Sequence, residues 1–424
     1  MKNDPASIAY SLQEAHAVIA SEFKVVEDHE QVSLDQALGR INAVTLFADQ
    51  PEPSYSQSTR DGFALAGQPY SLSSPHTSFA EFQISGEKAA GCTEEQELQP
   101  GQAYRIMTGA MLPRHTARVV PFELCLERGS RLSVPQEVLR EDQLYIRFQG
   151  QNIKQGQRLI TAGTRLCPDH LLLLAENGSQ QVRVCRRPRV AVICTGNELI
   201  KSGEQLLCGQ KVSSNEVLLA SLLQEQGCCL VRSIRVKDHV KSIVEEIQKI
   251  LVQDKPDLLI STGGTGSGKF DLIEQAVVCL QGNPLYNLLK IRPGKSTLFA
   301  RIDSTPLFAL PGPPPAVRLL FYELVVSGLD CLQGRAKAKF ASSQLEDAVL
   351  TEPVRLRRTG YLALKAARAS LCNGKLQARP ARPLEPINAI MHLACTANKK
   401  NMRKEIAKGQ QVKVRLLSSL RCLA

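Results

Sequence analysis

The 424 residues are 43% hydrophobic and 22% charged, enough chain to bury more than one core, and their length is that of roughly three domains. No positively charged leader runs into an apolar segment, and no run reaches the roughly 18 apolar residues that a spanning helix needs, so a cytoplasmic protein without membrane segments is expected. The net charge of +11 sits at the carboxy-terminal end, where residues 332–424 hold 19 Lys and Arg against 5 Asp and Glu; with only Phe340 and Tyr361 as aromatics there, attraction of small anions or a solvated face is expected rather than nucleic-acid binding.

Residues 11–20 have helical spacing, with Leu12, Ala15 and Ile19 on one side, and residues 34–38 begin a short helix closed by Gly39. The pattern dissolves in the PEPSYSQS stretch at residues 51–58, a loop that changes domain before Asp61-Gly62-Phe63-Ala64 opens a strand. Short strand-like runs at residues 79–84, 103–107, 118–122 and 144–146 then alternate with glycine and proline turns, as in a small β-rich domain. Gly109 marks either a close backbone approach or an ordinary turn. Residues 153–166 read as a hairpin, and residues 168–177 as a leucine-rich helix stopped by Gly178.

From residue 189 strands and helices alternate: an apolar strand at 189–194, a helix at 214–226 followed by Gly227, a strand at 230–236, a helix at 240–251, a strand at 258–260 and a helix at 272–280. That order implies a parallel sheet with helices on both faces, and ligands lie beyond the carboxyl ends of such strands. Residues 195–198, 262–271, 290–295 and 310–315 should therefore frame one pocket. Strand-like pieces at 348–356, 360–364 and 412–417 mark a last, separate β domain. The 13 cysteines, odd in number and without a Cys-x-x-Cys pair, argue against a disulfide framework and a metal cluster.

The stretch DLLISTGGTGSGKFD at residues 257–271 combines strand, glycine-rich loop and helix start, and such loops present N–H groups to anions. Gly263, Gly268 and Lys269 have the spacing of a nucleotide-triphosphate loop, but Phe270 stands where a hydroxyl should hold magnesium, which leaves another kind of phosphate loop or a tight structural turn. Asp61, Glu198 and Asp271 are carboxylates that could hold Mg2+ against a phosphate or simply cap and solvate. Lys290, Arg292 and Lys295 could neutralise an oxyanion. Ser213 and Ser214, before Asn215, could cap a helix or bind ligand, and His239 after Asp238 reads as a cap or surface residue.

In this order the loops resemble the molybdopterin molybdenumtransferase family of molybdenum cofactor biosynthesis, over nearly the whole chain. The pieces that carry the resemblance are Ser58-Thr59-Arg60-Asp61-Gly62-Phe63-Ala64, Arg105-Ile106-Met107-Thr108-Gly109-Ala110, Thr195-Gly196-Asn197-Glu198-Leu199, Gly263-Gly264, Arg292-Pro293-Gly294-Lys295 and Leu310-Pro311-Gly312. The resemblance implies a multidomain α/β and β protein: a doubly wound parallel-sheet molybdopterin-binding domain (184–331), a helical and hairpin linker domain (1–50 and 147–183), a β-rich insert (51–146) and a C-terminal β domain (332–424). It further implies transfer of molybdate into adenylylated molybdopterin with release of AMP, Mg2+ as cofactor, an elongated homodimer, and a molybdopterin adenylyltransferase as candidate partner. The family's active site lies between the α/β domain of one subunit and the insert of the other, which would bring Asp61 to Glu198 and Asp271 as catalytic and metal-binding carboxylates. Thr195, Gly196, Ser214, Asn215, Gly263, Gly264, Thr265, Gly266, Ser267, Pro311 and Gly312 would surround the pterin and its phosphate, with Arg292 and Lys295 toward the oxyanion.

The chain departs from the family pattern at several of these places. Gln57, Thr59 and Arg60 replace three members of Asn-Ser-Ala-Met-Asp-Gly, Arg118 and Lys269 stand where acids are usual, and Pro313 replaces the asparagine of Leu-Pro-Gly-Asn-Pro. Two readings follow: an active transferase, or a non-catalytic relative that binds pterin or nucleotide as a scaffold or sensor.

Overall fold

The structure is a computed structural model that describes residues 9–67, 78–264, 272–334, 345–357, 360–383, 385–394 and 403–417. The first helix, α1 (Leu12–Glu22), starts in a capping box in which the Ser11 hydroxyl accepts the Glu14 N–H and the Glu14 carboxylate accepts the Ser11 N–H. Its buried Ala15 and Ile19, with Phe23 stacked at 5.9 Å on Phe299 and 6.1 Å on Phe308, join the core of the α/β unit. The linker layer begins after it, where the strand His29–Ser33 pairs antiparallel with Gln181–Cys185, and Leu46–Phe47 with Arg158–Ile160.

This pairing corrects the hairpin expected at residues 153–166. Its strand does not fold back on itself, because Ile160 and Leu166 are drawn into a core with Val32, Ala37, Leu174, Val182 and Val184. The strand expected at 144–146 is likewise displaced: Ile146–Arg147 pairs with Gln57–Ser58 and forms, with it, the neck through which the chain enters and leaves the insert. The helix expected at 34–38 is a single 3-10 turn, Leu34–Gln36.

The insert is a six-stranded sheet of β1 (Gly62–Ala66), β2 (Phe79–Lys88), β3 (Gln102–Ile106), β4 (Thr116–Pro121), β5 (Leu126–Arg128) and β6 (Arg131–Pro135), in the order β4-β1-β3-β2-β6-β5. Central β1 is buried along its whole length. At its head Gly62 has no room for a side chain, since a Cβ would overlap the Val120 carbonyl of the neighbouring strand.

The α/β unit contains β7 (Arg189–Thr195), α2 (Ser214–Glu225), β8 (Cys229–Val236), α3 (Val240–Gln253), β9 (Leu258–Thr262), α4 (Leu272–Cys279), β10 (Asn283–Tyr286), β11 (Ile291–Arg292), β12 (Leu298–Ile302) and β13 (Thr305–Leu310). It closes with α5 (Pro314–Leu320), a π-helical turn Phe321–Val325 and α6 (Val326–Leu332). The sheet order is β8-β7-β9-β13-β12-β10, parallel across the first four strands and antiparallel at the far edge. Alternate residues of one strand feed two cores: Val190, Val192 and Cys194 face α1 and α2, whereas Ala191 and Ile193 face α3 and α4. This two-sided burial is why residues 189–194 and 258–260 read as unbroken apolar runs. Gly227, with φ of 74°, ends α2 as its position implied.

The last unit is a barrel of β14 (Leu345–Leu350), β16 (Leu362–Cys372), β17 (Lys375–Pro380), β18 (Ala389–Ala394) and β20 (Gln411–Leu416), closed because β16 pairs with both β17 and β18. β15 (Val354–Arg357) and β19 (Arg403–Ile406) form a separate ribbon, so the run expected as one strand at 348–356 is two, broken at residues 351–353. One strand pair, β11 with β16, stitches the barrel to the α/β unit. Among the described residues no helix is long and apolar enough to cross a membrane.

Candidate functional site

The carboxyl ends of β7, β8, β9 and β13 lie at one edge of the sheet, with Cys194 opposite Thr262, Thr262 opposite Leu310 and Thr195 opposite Val236. Above this edge opens a pocket of about 470 Å3. Of the residues expected to surround a ligand, Thr195, Gly196, Glu198, Ser214, Asn215, Gly263, Gly264 and Gly312 all line it, and Pro311 directly precedes Gly312.

Two glycines shape the floor. Gly263 and Gly264 have φ of 86° and 64°, the left-handed region that costs other residues energy. A Cβ at Gly263 would overlap the Thr195 carbonyl, and one at Gly264 would stand 3.0 Å from Thr195 Oγ1. Asn215, in the first turn of α2, ties the rim together: its Nδ2 donates to Gly312 O at 2.8 Å and to Thr262 Oγ1 at 3.3 Å. What remains unpaired is informative. Thr195 Oγ1 and Asn215 Oδ1 are buried without a hydrogen-bond partner, a state that costs about 1–3 kcal/mol per group until a ligand or water supplies one.

Among the described residues two carboxylates reach the pocket, Glu198 and Asp238. In the sequence the place of Asp238 before His239 suggests only a helix start. The signal that finds it is its position two residues beyond the end of β8, on the same sheet edge as the other loops. Its backbone N–H donates to Asn197 Oδ1 at 3.1 Å and its Oδ2 accepts the Asn197 N–H at 3.4 Å, while Oδ1 is buried and unpaired. The described residues contain no cluster of three or more His, Cys, Asp or Glu able to cage a metal. Two carboxylates beside unpaired oxygens nevertheless suit Mg2+, which binds through one or two carboxylates together with water and substrate phosphate. Lys211 also lines the pocket and was not singled out in the sequence.

Thr265, Gly266, Ser267, Lys269 and Asp271 lie outside the described residues. Asp61 lies in the insert and does not line the pocket in this chain. Its carboxylate accepts the Thr108 N–H and hydroxyl, both at 2.7 Å, and these two bonds, the backbone one first, hold its carboxyl below the usual range. The Asp61 and Thr108 motifs, 47 residues apart, thus form one structural unit.

Arg118, which replaces a usual acid, points inward: Nη1 donates to Val138 O at 2.6 Å and Nη2 to Glu141 O at 2.9 Å, at the end of the short helix Gln136–Arg140. Arg118→Met is therefore expected to lower stability by about 1–3 kcal/mol, read by denaturant unfolding, while ligand affinity at the sheet edge stays unchanged. A loss of affinity without loss of stability would reverse this assignment.

Arg292 and Lys295 do not line the pocket. Both lie against Tyr361 of the barrel, with the guanidinium carbon 5.5 Å and the ammonium 5.9 Å from the ring centroid.

A doubly wound sheet with a glycine turn, unpaired buried oxygens and carboxylates at its strand ends defines an α/β protein with a polar ligand pocket. Comparison with known proteins gives that class a family. The MoeA N-terminal region (domain I and II) matches residues 10–178, and a probable molybdopterin binding domain matches residues 191–330. The molybdopterin molybdenumtransferase of Staphylococcus epidermidis is 30% identical over 84% of each chain, and that of Nostoc sp. is 32% identical over 73% of this chain and 71% of its own. The crystal structure of the molybdopterin biosynthesis moeA protein from Pyrococcus horikosii, 25% identical, superposes over 96% of this chain and 99% of its own with a TM-score of 0.79. The chain belongs to the molybdopterin molybdenumtransferase family.

Proposed function

We propose that the protein transfers molybdate into adenylylated molybdopterin, with release of AMP, as a cytoplasmic enzyme of molybdenum cofactor biosynthesis. The observation that carries the reading is the convergence of eight expected ligand residues on one pocket whose Thr195 and Asn215 oxygens lack partners. In this reading the backbone at Gly263 and Gly264 lets a phosphate approach closely, and Thr195 and Asn215 pair with the polar edge of the pterin. Glu198 and Asp238 would hold Mg2+, with Asp271 and a partner subunit's copy of Asp61 reaching it through water, and the ion would supply positive charge to phosphate oxygens. Arg292 and Lys295 would attract the molybdate dianion. A homodimer is part of the proposal, because Asp61 lies outside the pocket of its own chain, and a molybdopterin adenylyltransferase is the expected donor of substrate. The division into linker, insert, α/β and barrel units carries over as the working domain layout.

The test is AMP release and cofactor formation from adenylylated molybdopterin, molybdate and Mg2+. Wild-type protein should turn over, and Glu198→Gln should reduce kcat by about 100-fold or more while remaining folded. No AMP release by the wild-type protein would overturn the proposal.

A further inference from the structure

Thr262, almost wholly buried at the floor of the pocket, and Cys194 behind it decide which way one of the lining side chains faces. We propose that Thr262 and Cys194 are positioning residues that hold the Asn215 amide with its oxygen toward the ligand, so that this part of the pocket selects a heterocycle edge that donates N–H. Naming the heterocycle as a pterin rests on the proposed function, but the orientation of Asn215 does not.

Three observations carry the inference. Cys194 and Thr262 are register partners on the adjacent parallel strands β7 and β9, both are buried, and the Thr262 hydroxyl donates to Cys194 Sγ at 3.3 Å. A hydroxyl whose proton is given to sulfur presents only lone pairs to its other neighbours. Asn215 Nδ2 therefore meets two acceptors, Thr262 Oγ1 at 3.3 Å and Gly312 O at 2.8 Å, and both amide hydrogens are committed. Turning the amide over would set Asn215 Oδ1 against the Gly312 carbonyl, which cannot donate. What Asn215 has left is an acceptor: Oδ1 is buried and unpaired on a residue that lines the pocket, and Thr195 Oγ1 on the same floor is unpaired as well. A ligand edge made of lone pairs gains nothing from Asn215 Oδ1, whereas an amino or lactam N–H removes the cost of leaving that oxygen unpaired. Because the amide is oriented before the ligand arrives, little ordering entropy is lost on binding.

Calorimetric titration of the full-length protein with pterin, and separately with 4-oxopteridine, which keeps the ring and its lactam N–H but lacks the 2-amino group, measures the selection directly. Wild type should bind pterin about 10-fold more tightly, since the missing amino group leaves an acceptor unpaired. Thr262→Val keeps the shape but leaves one buried Nδ2 hydrogen without an acceptor, and the amide turns away to find one. Pterin affinity should then fall about 5–10-fold with that of 4-oxopteridine nearly unchanged, so the ratio closes to about 2-fold or less. Thr262→Ser returns the hydroxyl and should restore the ratio. Cys194→Ala, which frees the Thr262 proton to turn toward Asn215, should act in the same direction as Thr262→Val and carries the test if that variant does not fold. In the transfer assay KM for adenylylated molybdopterin should rise in Thr262→Val with kcat nearly unchanged. A merely structural loss would weaken both heterocycles alike, so an unchanged ratio in either variant overturns the proposal, as does a wild type that binds both alike or neither. A wild type that makes this selection yet releases no AMP rejects the transferase reading alone.

Discussion

Gly263→Ala is expected to abolish useful ligand binding at the sheet edge, with affinity lower by about 100-fold or more while most of the fold persists. Two costs combine. The residue sits at φ of 86°, where a Cβ costs roughly 1–2 kcal/mol, and the added methyl overlaps the Thr195 carbonyl, which belongs to the buried end of β7 and cannot yield. The strand end or the glycine turn must then shift, and Thr195 and Gly263 both line the pocket. Gly91 isolates the first cost, since it has the same φ of 86° but nothing within 4 Å of its virtual Cβ. Gly91→Ala should lose about 1 kcal/mol of stability and leave binding intact. Equal affinity in wild type and Gly263→Ala, measured by titration with AMP or a pterin monophosphate, would show that the pocket is not where the ligand sits.

A second large effect is expected at Glu323, which joins three parts of the molecule. It lies fully buried in the π-helical turn. Its Oε1 accepts from Arg415 Nε at 2.9 Å and from His392 Nε2 at 2.8 Å, both on the barrel, and its carbonyl accepts from His16 Nε2 on α1 at 2.6 Å. Burial alone would push its carboxyl upward, but the His392 hydrogen bond and the Arg415 charge outweigh it and hold the group at about 2. Glu323→Leu would strand Arg415, itself 4% exposed, without its partner, and is expected to cost about 3–5 kcal/mol. Removing Glu405 from the exposed pair with Arg355 should cost less than about 1 kcal/mol.

The acid sensitivity follows from the same geometry. A carboxyl held at about 2 when folded and near 4.5 when unfolded contributes stability that is complete above about pH 4.5 and disappears as pH falls toward 2. The shift corresponds to about 3 kcal/mol. The stability gap between wild type and Glu323→Leu, followed by denaturant unfolding, should therefore be constant from pH 7 to 5 and narrow below 4.5. A gap independent of pH down to 3 would remove the carboxylate from the explanation.

The α/β unit is legible because β7 and β9 are buried on both faces and α2 ends at Gly227, signals that local sequence carries unaided. Thr195, Gly196, Glu198, Asn215 and Gly263 could be placed on one rim because a single topological rule governs where parallel strands end. Asp238 is harder to find because β8 lies at the edge of the sheet and its residues 230–235 are only partly buried, so its carboxyl end is a less evident part of the rim. The hairpin error at residues 153–166 has another cause: Ile160 and Leu166 pack on residues more than 100 positions earlier, and no local pattern reports such a partner. Arg118 looked from the sequence like a charge reversal at the site, because a sequence cannot show that a side chain turns toward carbonyls of its own domain. The union of α1 with the α/β core was similarly hidden, since Ala15 and Ile19 announce an apolar face but not what covers it.

The neck between the linker and the insert has a further consequence. The chain enters at Gln57–Ser58 and leaves at Ile146–Arg147, two-residue strands paired side by side, and the Thr59 N–H donates to Tyr145 O at 3.0 Å just inside them. Both ends of an 87-residue excursion thus meet at one point, so the insert joins the rest of the chain through a single pair of crossings. The entering strand is also tied to residues 109–112 of the insert, so the place of the Asp61 carboxylate, three residues past the crossing and bonded to Thr108, is set by how the two crossings are held.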